Sequence, residues 1–248
     1  MNKRIYKPLI SVGSVLFWLL LWEIFSRYVS FSFILPGAGE TLAAFLRLIP
    51  TADFWLTVLL SLFRILTGLI IGIALGVVLG YISAVLDPMH SFLSPIMTVV
   101  RCTPVASFIM IVWFMVKTDY IPTLIALFMV LPIIWQSTYD AFGRADKELK
   151  ELAAVYGFNT KKRLKYVYAP TVNKYLVPAV ITSLGLSWKA GVAAEIITHA
   201  KNSIGAEILD AKSILEGADM FAWTLTVVLL SLLLEFAVKR FLRRVRGI

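Results

Sequence analysis

Apolar positions fall in long blocks along this chain, and polar positions gather in the gaps between them. A helix crossing the hydrocarbon core of a bilayer needs about 20 apolar residues at 1.5 Å rise each. Six segments meet that length: roughly 8–28, 55–83, 91–116, 120–139, 175–198 and 219–241. Pro95, Arg101 and Pro104 interrupt the third. Lys3, Arg4 and Lys7 precede the first in the manner of a signal peptide. No small-residue cleavage site follows, and "WEIFSRY" prolongs the run, which predicts an uncleaved anchor. The pattern predicts an all-α membrane protein with six transmembrane helices. It forms a single domain over residues 1–248, with no solenoid repeat and no separable soluble module.

Two of the gaps carry helical periodicity of their own. In "PGAGETLAAFLRLIP", Leu42, Phe45, Leu46 and Ile49 stand at i, i+3, i+4, i+7. In "SIGAEILDAKSILEGAD", Ile204, Ile208, Ala211 and Leu215 do much the same. Each predicts a short surface helix that either caps the bundle or offers a docking face. Within the second apolar block, Gly68, Gly72, Gly76 and Gly80 are four apart and form one stripe of the helix. A stripe without side chains lets another backbone approach closely, the usual device of helix packing in lipid. Its partner is either another span or a second copy of the chain, and lining a pore is the competing role.

The stretch "ELKELAAVYGFNTKKRLKYVYAP", residues 148–170, is too short and too charged to cross a bilayer. Leu149, Leu152, Ala153 and Tyr156 make one apolar face, with Lys147, Glu148, Lys150 and Glu151 opposite. Asp146 can cap this helix, and Gly157 suits the left-handed position that ends one. A second helix begins after Asn159, buries Leu164, Val167 and Tyr168, and is expected to stop at Pro170. The result is a helix–turn–helix elbow over about residues 143–172, with an apolar face that something must cover.

Composition and charge place this elbow. Hydrophobic residues make up 59% of the chain and charged residues 16%, against about 25% charged in soluble domains. There are 24 Lys plus Arg and 15 Asp plus Glu, a net charge of +9. With the N-terminus inside, 16 of the basic residues fall on the inner side and 5 on the outer. That asymmetry predicts cytoplasmic termini and a cytoplasmic elbow. The positive charge is thus an orientation signal, with attraction to anionic lipid as a secondary effect, and it does not indicate nucleic acid. The lone Cys102 excludes a disulfide framework, and the separation of His90 from His199 argues against a metal site.

The elbow is similar to the signature loop of the integral membrane subunits of bacterial ABC importers. That pattern reads Glu-Ala-Ala, three residues, Gly, nine residues, Ile, one residue, Leu-Pro. Glu151, Ala153, Gly157 and Pro170 stand in register with it, while Leu152, Val167 and Ala169 replace its second Ala, its Ile and its Leu. The resemblance covers roughly residues 34–242. "LPGAGETLAAF", "SLFRILTG", "VVRCTPVAS", "GLSWKAGVAAE" and "SIGAEI" look like the branch that imports nitrate, sulfonates, taurine and some vitamin precursors. Gly37 stands where that branch commonly has serine.

The resemblance implies a type I importer permease in the inner membrane. Glu151, Leu152, Ala153, Ala154, Gly157 and Pro170 would couple it to a dimeric cytoplasmic ATPase. A second permease copy or close relative would complete the pathway, and an extracytoplasmic binding protein would deliver the solute. ATP and magnesium would sit on the ATPase, and this chain would hold no cofactor.

Arg64, Arg101 and Lys189 fall inside spans, where each would cost about 2.5–3.5 kcal/mol against lipid. Counted at 1.5 Å per residue from their span ends, all three come out near the midplane, about 14–16 Å deep. Glu195 and Glu23 come out nearer the outer face. Either the cations attract an anionic solute or they hold the bundle together. Arg101 would then bond a carbonyl freed by Pro104, and Arg64 a carboxylate on another span. Trp188, beside Lys189, either lines the path or packs, whereas most other tryptophans fall near span ends as interfacial anchors. The candidate path residues are therefore Arg64, Arg101, Trp188, Lys189 and Glu195. Glu235 and Lys239 are spaced as a local ion pair.

Two other function classes compete. A self-sufficient, ion-coupled secondary transporter would favour inverted repeats and broken helices, and only the third span is interrupted. An intramembrane enzyme would need a zinc-binding or nucleophile–base constellation, and none is evident in the sequence. The sequence also lacks the G-x-x-x-x-G-K-[ST] phosphate loop, so a permease of this kind needs a separate motor.

Overall fold

The glycine stripe forms the central seam of the fold. The structure is a computed structural model that describes residues 3–29, 34–143 and 147–246. Helix α3 (Ala52–Val85) carries the stripe, and its partner is α6 (Ile121–Gly143) of the same chain. A Cβ added at Gly68 would lie 2.1 Å from the Thr123 carbonyl oxygen, and one at Gly80 would lie 2.6 Å from that of Trp135. Gly72 and Gly76 face Val130 and Ile134 in the same way. Residue numbers rise together on both helices, so α3 and α6 run parallel. Helix α9 (Ala169–Thr198) packs against both, and Leu69, Val130, Ile134, Ala179 and Leu184 are buried where the three meet.

Helices α4 (Asp87–Cys102), α5 (Val105–Trp113) and α11 (Gly217–Arg246) pack on this centre, and α1 (Lys3–Val29) meets α2 (Ala38–Leu48) and α11 at its edge. No strand occurs among the described residues. Five helices are long and apolar enough to cross a membrane. The expected third span is instead a broken one: α4 and α5 meet at a bend of 103°. The cause is local. Pro104 has no N–H to continue the helix and pushes Thr103 into an extended conformation, with φ −71° and ψ 128°.

Both predicted surface helices form, as α2 (Ala38–Leu48) and α10 (Ile204–Ser213). Their buried faces differ in part from the periodic ones. On α2 the buried positions are Thr41 and Ala44, while Leu42 and Leu46 are exposed. Helix α2 packs on α11, where Arg47 pairs with Asp219. On α10 Ile204 and Ala211 are buried, but Leu215 lies past the helix end and is exposed. Glu23 of α1 accepts from the Ala38 N–H at 3.0 Å and so caps α2. Its carboxylate lies 2.8 Å from where a Gly37 Cβ would stand, which is how the chain fills the space of the usual serine.

The elbow lies at the opposite end from α2 and α10. Its first arm is α7 (Lys147–Val155) and its second begins as α8 (Thr160–Arg163). The second arm does not stop at Pro170. A π turn over Leu164–Tyr168 carries it without interruption into α9. The wider turn lets the backbone pass Pro170, which offers no N–H and would crowd the carbonyl four residues earlier. Arg144 and Asp146 lie outside the described residues, as do the side chains of Lys147, Lys150 and Leu164.

Candidate functional site

Two regions carry the chemistry, the elbow and the polar groups at the far end of the bundle. At the elbow, Gly157 takes φ +60°. Phe158 N–H donates to the Ala153 carbonyl at 2.9 Å and Gly157 N–H to that of Ala154 at 3.1 Å. This pair of bonds is the Schellman ending of a helix, and its left-handed residue favours glycine. Asn159 then caps the second arm, its Oδ1 accepting from Lys162 N–H at 2.9 Å. The rings of Phe158 and Tyr166 meet across the two arms at 6.3 Å.

Burial in the elbow is narrow. Ala153 is 1% exposed and Val167 3%, whereas Leu152 is 52% exposed and Val155 85%. Leu149 and Tyr156 are exposed as well, as are Glu151, Ala154 and Pro170. Of the apolar face read for the first arm only Ala153 is covered, and on the second arm Val167 is buried as expected. The small residue is therefore required at 153, and the leucine that departs from the signature at 152 stands on the open side.

At the far end, a buried carboxylate ties three helices together. Glu195 of α9 is fully buried, and its Oε2 accepts from Ser61 Oγ at 3.0 Å and from Gly205 N–H at 3.2 Å. Ser61 Oγ in turn accepts from Ile204 N–H at 3.0 Å. The first donors of α10 are thus satisfied by α3 and α9, which fixes the short helix on the bundle. Gly205 makes the approach possible, since a Cβ there would lie 2.4 Å from Glu195 Cβ and 2.5 Å from the Ile196 nitrogen. Sequence reasoning missed Ser61; a lone serine in an apolar span carries no signal until its partners are known. Nearby on α10, burial raises the Glu207 carboxyl above its ordinary value, the Asp210 and Asp53 charges add to the rise, and His199 opposes it.

Arg64 lies one turn from Ser61 and belongs to the same end. It donates to the Lys201 carbonyl at 3.0 Å and pairs with Asp119 at 3.4 Å, and its own carbonyl accepts from Thr123 Oγ1 at 2.9 Å. Asp119 sits in the 3₁₀ turn Thr118–Tyr120 before α6, and Lys201 follows α9. These partners stand at the ends of α6 and α9, so the Arg64 side chain belongs to the far end of the bundle rather than to its middle. Helix α3 has 34 residues, about 51 Å, so its first turns project beyond a core of about 30 Å.

The remaining candidates stand apart. Trp188 is 1% exposed and donates from Nε1 to the Val227 carbonyl at 3.1 Å, so it packs α9 against α11. Lys189, the next residue, is exposed about 14 Å below the far end of α9. It borders a cavity of about 350 Å³ between α9 and α11, with Trp188, Thr182, Ser231 and Glu235 also on its wall. Glu235 pairs with Lys239. Arg101 is exposed at the α4–α5 bend and makes one long contact, 3.4 Å, to the Pro132 carbonyl of α6. The five path residues therefore do not converge. Arg64 and Glu195 brace the far end, Trp188 is core, and Lys189 and Arg101 are the exposed cations.

Residues 72–247 match the family described as the binding-protein-dependent transport system inner membrane component. The chain is 30% identical over 205 residues to the riboflavin transport system permease protein RibX of Chloroflexus aurantiacus (strain ATCC 29366 / DSM 635 / J-10-fl), covering 82% of this chain and 76% of that protein. It is 22% identical over 191 residues to the putative aliphatic sulfonates transport permease protein SsuC of Bacillus subtilis (strain 168), covering 76% and 68%. With a family match over most of its length, apolar helices that can cross a membrane and a water-facing elbow, this chain belongs to the inner-membrane components of binding-protein-dependent transport systems, as the permease subunit of an ABC importer.

Proposed function

We propose that the elbow is the handle by which a separate ATPase drives this permease, with the elbow and both termini on the cytoplasmic side of a bacterial inner membrane. The observation that carries this reading is the open apolar face of α7. Leu149, Leu152, Val155 and Tyr156 are exposed in a segment whose charges keep it out of lipid, and burying such a patch favours a protein partner. Glu151 and Ala154 flank the patch, and Gly157 sets its angle. The ATPase, holding ATP and magnesium, supplies the covering groove.

Motion of the elbow has a direct route into the membrane. The second arm continues through the π turn into α9 without a break, so a pull on the elbow is delivered to the helix that carries Lys189 and Glu195. Two copies of the chain, or one with a close relative, form the pathway. Approach of the two ATPase subunits moves both elbows and opens the bundle toward the outside, where α2 and α10 meet the binding protein.

The solute is small, and Lys189 favours one bearing an anionic group, of the sulfonate, nitrate or taurine type, over a vitamin precursor. An exposed cation inside a span is tolerated only against water or protein, and Lys189 borders the α9–α11 cavity. Lys189→Met in proteoliposomes holding permease, ATPase and binding protein should cut ATP-driven uptake of an alkanesulfonate roughly tenfold or more, the loss of one charge-assisted contact, while the ATPase co-purifies at the wild-type level. Uptake at the wild-type rate would leave Lys189 a packing residue.

A further inference from the structure

A second cavity opens at the elbow end of the bundle, between α3, α6 and the start of α9. It measures about 360 Å³, and its wall is largely apolar, formed by Val77 and Tyr81, by Thr138 and Phe142, and by Ala169 and Val172. Tyr81 and Phe142 lie in or near the last turn of their helices, so the cavity stands at the edge of the hydrocarbon. Aromatic rings rim it: Phe142 meets Tyr81 at 5.1 Å and Tyr168 at 5.2 Å. Rings of this kind favour the level where lipid tails give way to headgroups.

The arm that leads into Tyr168 of its wall carries four cations within five residues, Lys161, Lys162, Arg163 and Lys165. All four are exposed, and among the described residues none of them forms an ion pair. Lys162 and Lys165 stand over the rings of Phe158 and Tyr166 at 6.0 and 5.3 Å, contacts that leave their charge open to water. Lys165 precedes Tyr168 and Ala169 of the cavity wall by about one turn, so the basic run adjoins the apolar slot.

We propose that this pairing is a binding site for one anionic phospholipid, with an acyl chain in the cavity and its phosphate on Lys165 and the neighbouring cations. An amphiphile of that sign matches both halves at once. A protein segment in the same slot would have to bury a row of backbone polar groups against a wall whose only polar groups are the hydroxyls of Thr138, Tyr81 and Tyr168. The site is distinct from the exposed face of α7, and it places a lipid against the joint through which elbow motion enters α9.

The test uses the purified full-length permease in neutral detergent micelles, with bound lipid counted by native mass spectrometry. Dioleoylphosphatidylglycerol should be retained roughly tenfold or more over dioleoylphosphatidylcholine, and glycerol 3-phosphate should not be retained. Replacing Lys161, Lys162, Arg163 and Lys165 together by Gln should equalise the two lipids. Ala169→Trp, which fills the slot, should lower retention of phosphatidylglycerol, with Val172→Phe as the substitute if that variant does not fold. Equal retention of the two lipids by the wild type would overturn the proposal. Retention of glycerol 3-phosphate as strongly as of the lipid would reassign the site to free phosphate and overturn it too. So would a fourfold variant that keeps the lipid preference but loses the ATPase, since the cations would then serve a protein interface.

Discussion

Gly157→Pro releases the ATPase from the permease and leaves the permease in the membrane. Gly157 holds φ +60°, whereas proline is fixed near −65°. The substitution also removes the N–H that donates to the Ala154 carbonyl. Together these cost about 3 kcal/mol or more, on the order of a hundredfold in an association constant. The elbow cannot absorb that cost elsewhere, because its described arms rest on little more than Ala153 and Val167. Damage stays local for the same reason, since the seam of α3, α6 and α9 does not involve α7. The measurement is the amount of ATPase recovered with affinity-purified permease. Gly157→Ala, which strains the left-handed position by about 1–2 kcal/mol, should fall between the two. Recovery of the ATPase at the wild-type level with the proline variant would contradict the coupling role.

The second large effect lies in the seam. Gly68→Leu should prevent α3 from closing on α6. A Cβ at Gly68 already meets the Thr123 carbonyl oxygen at 2.1 Å and Ala126 Cβ at 2.9 Å, and the first of these is backbone that cannot rotate away. Overpacking usually costs about 1–3 kcal/mol, and a clash with backbone belongs at the top of that range. For a chain of this length that corresponds to a melting temperature lower by roughly 6–12 °C, or to loss of the folded form. Gly13→Leu is the matched control, because nothing lies within 4 Å of a Cβ there. Fluorescence-detected melting in detergent separates the two, and equal melting would mean that the stripe does not set the seam.

The parts of this fold that were legible in the sequence are those set by spacing within one element. The elbow follows from an apolar period broken at Gly157, and the glycine stripe from a repeat of four. What spacing leaves open is the partner. The stripe is satisfied by α6 of the same chain because Thr123, Ala126, Val130, Ile134 and Thr138 present a complementary row. On α2 the apolar period marks Leu42, Phe45, Leu46 and Ile49; Phe45 and Ile49 pack on the core, Leu42 and Leu46 face outward, and Thr41 and Ala44 are the buried positions. The partners of Arg64, Asp119 and Lys201, lie in segments far from it in sequence, which spacing within α3 does not reveal. Pro170 reads as a stop only if the helix must stay α, and a π turn removes that constraint. Pro104 does break its span, and there the sequence had already marked the interruption.

The far-end bracing was the least legible. Glu195 and "SIGAEI" stand out in the sequence, but the reason joins residues more than a hundred positions apart. Ser61 Oγ accepts from the Ile204 N–H and donates to Glu195 Oε2, and Gly205 is glycine because α9 occupies the space of its side chain. This knot and the elbow sit at opposite ends of the bundle, with α9 running between them. In the proposed coupling, α9 would carry motion from one end to the other.

The most direct test of the handle is a cross-link. Leu152→Cys in a Cys102→Ser background places a single thiol on the open face of α7. In the assembled importer it should form a short cross-link to the ATPase whose yield changes when ATP is added. Uptake that continues in that importer with no cross-link from position 152 to the ATPase, with and without ATP, would contradict the account.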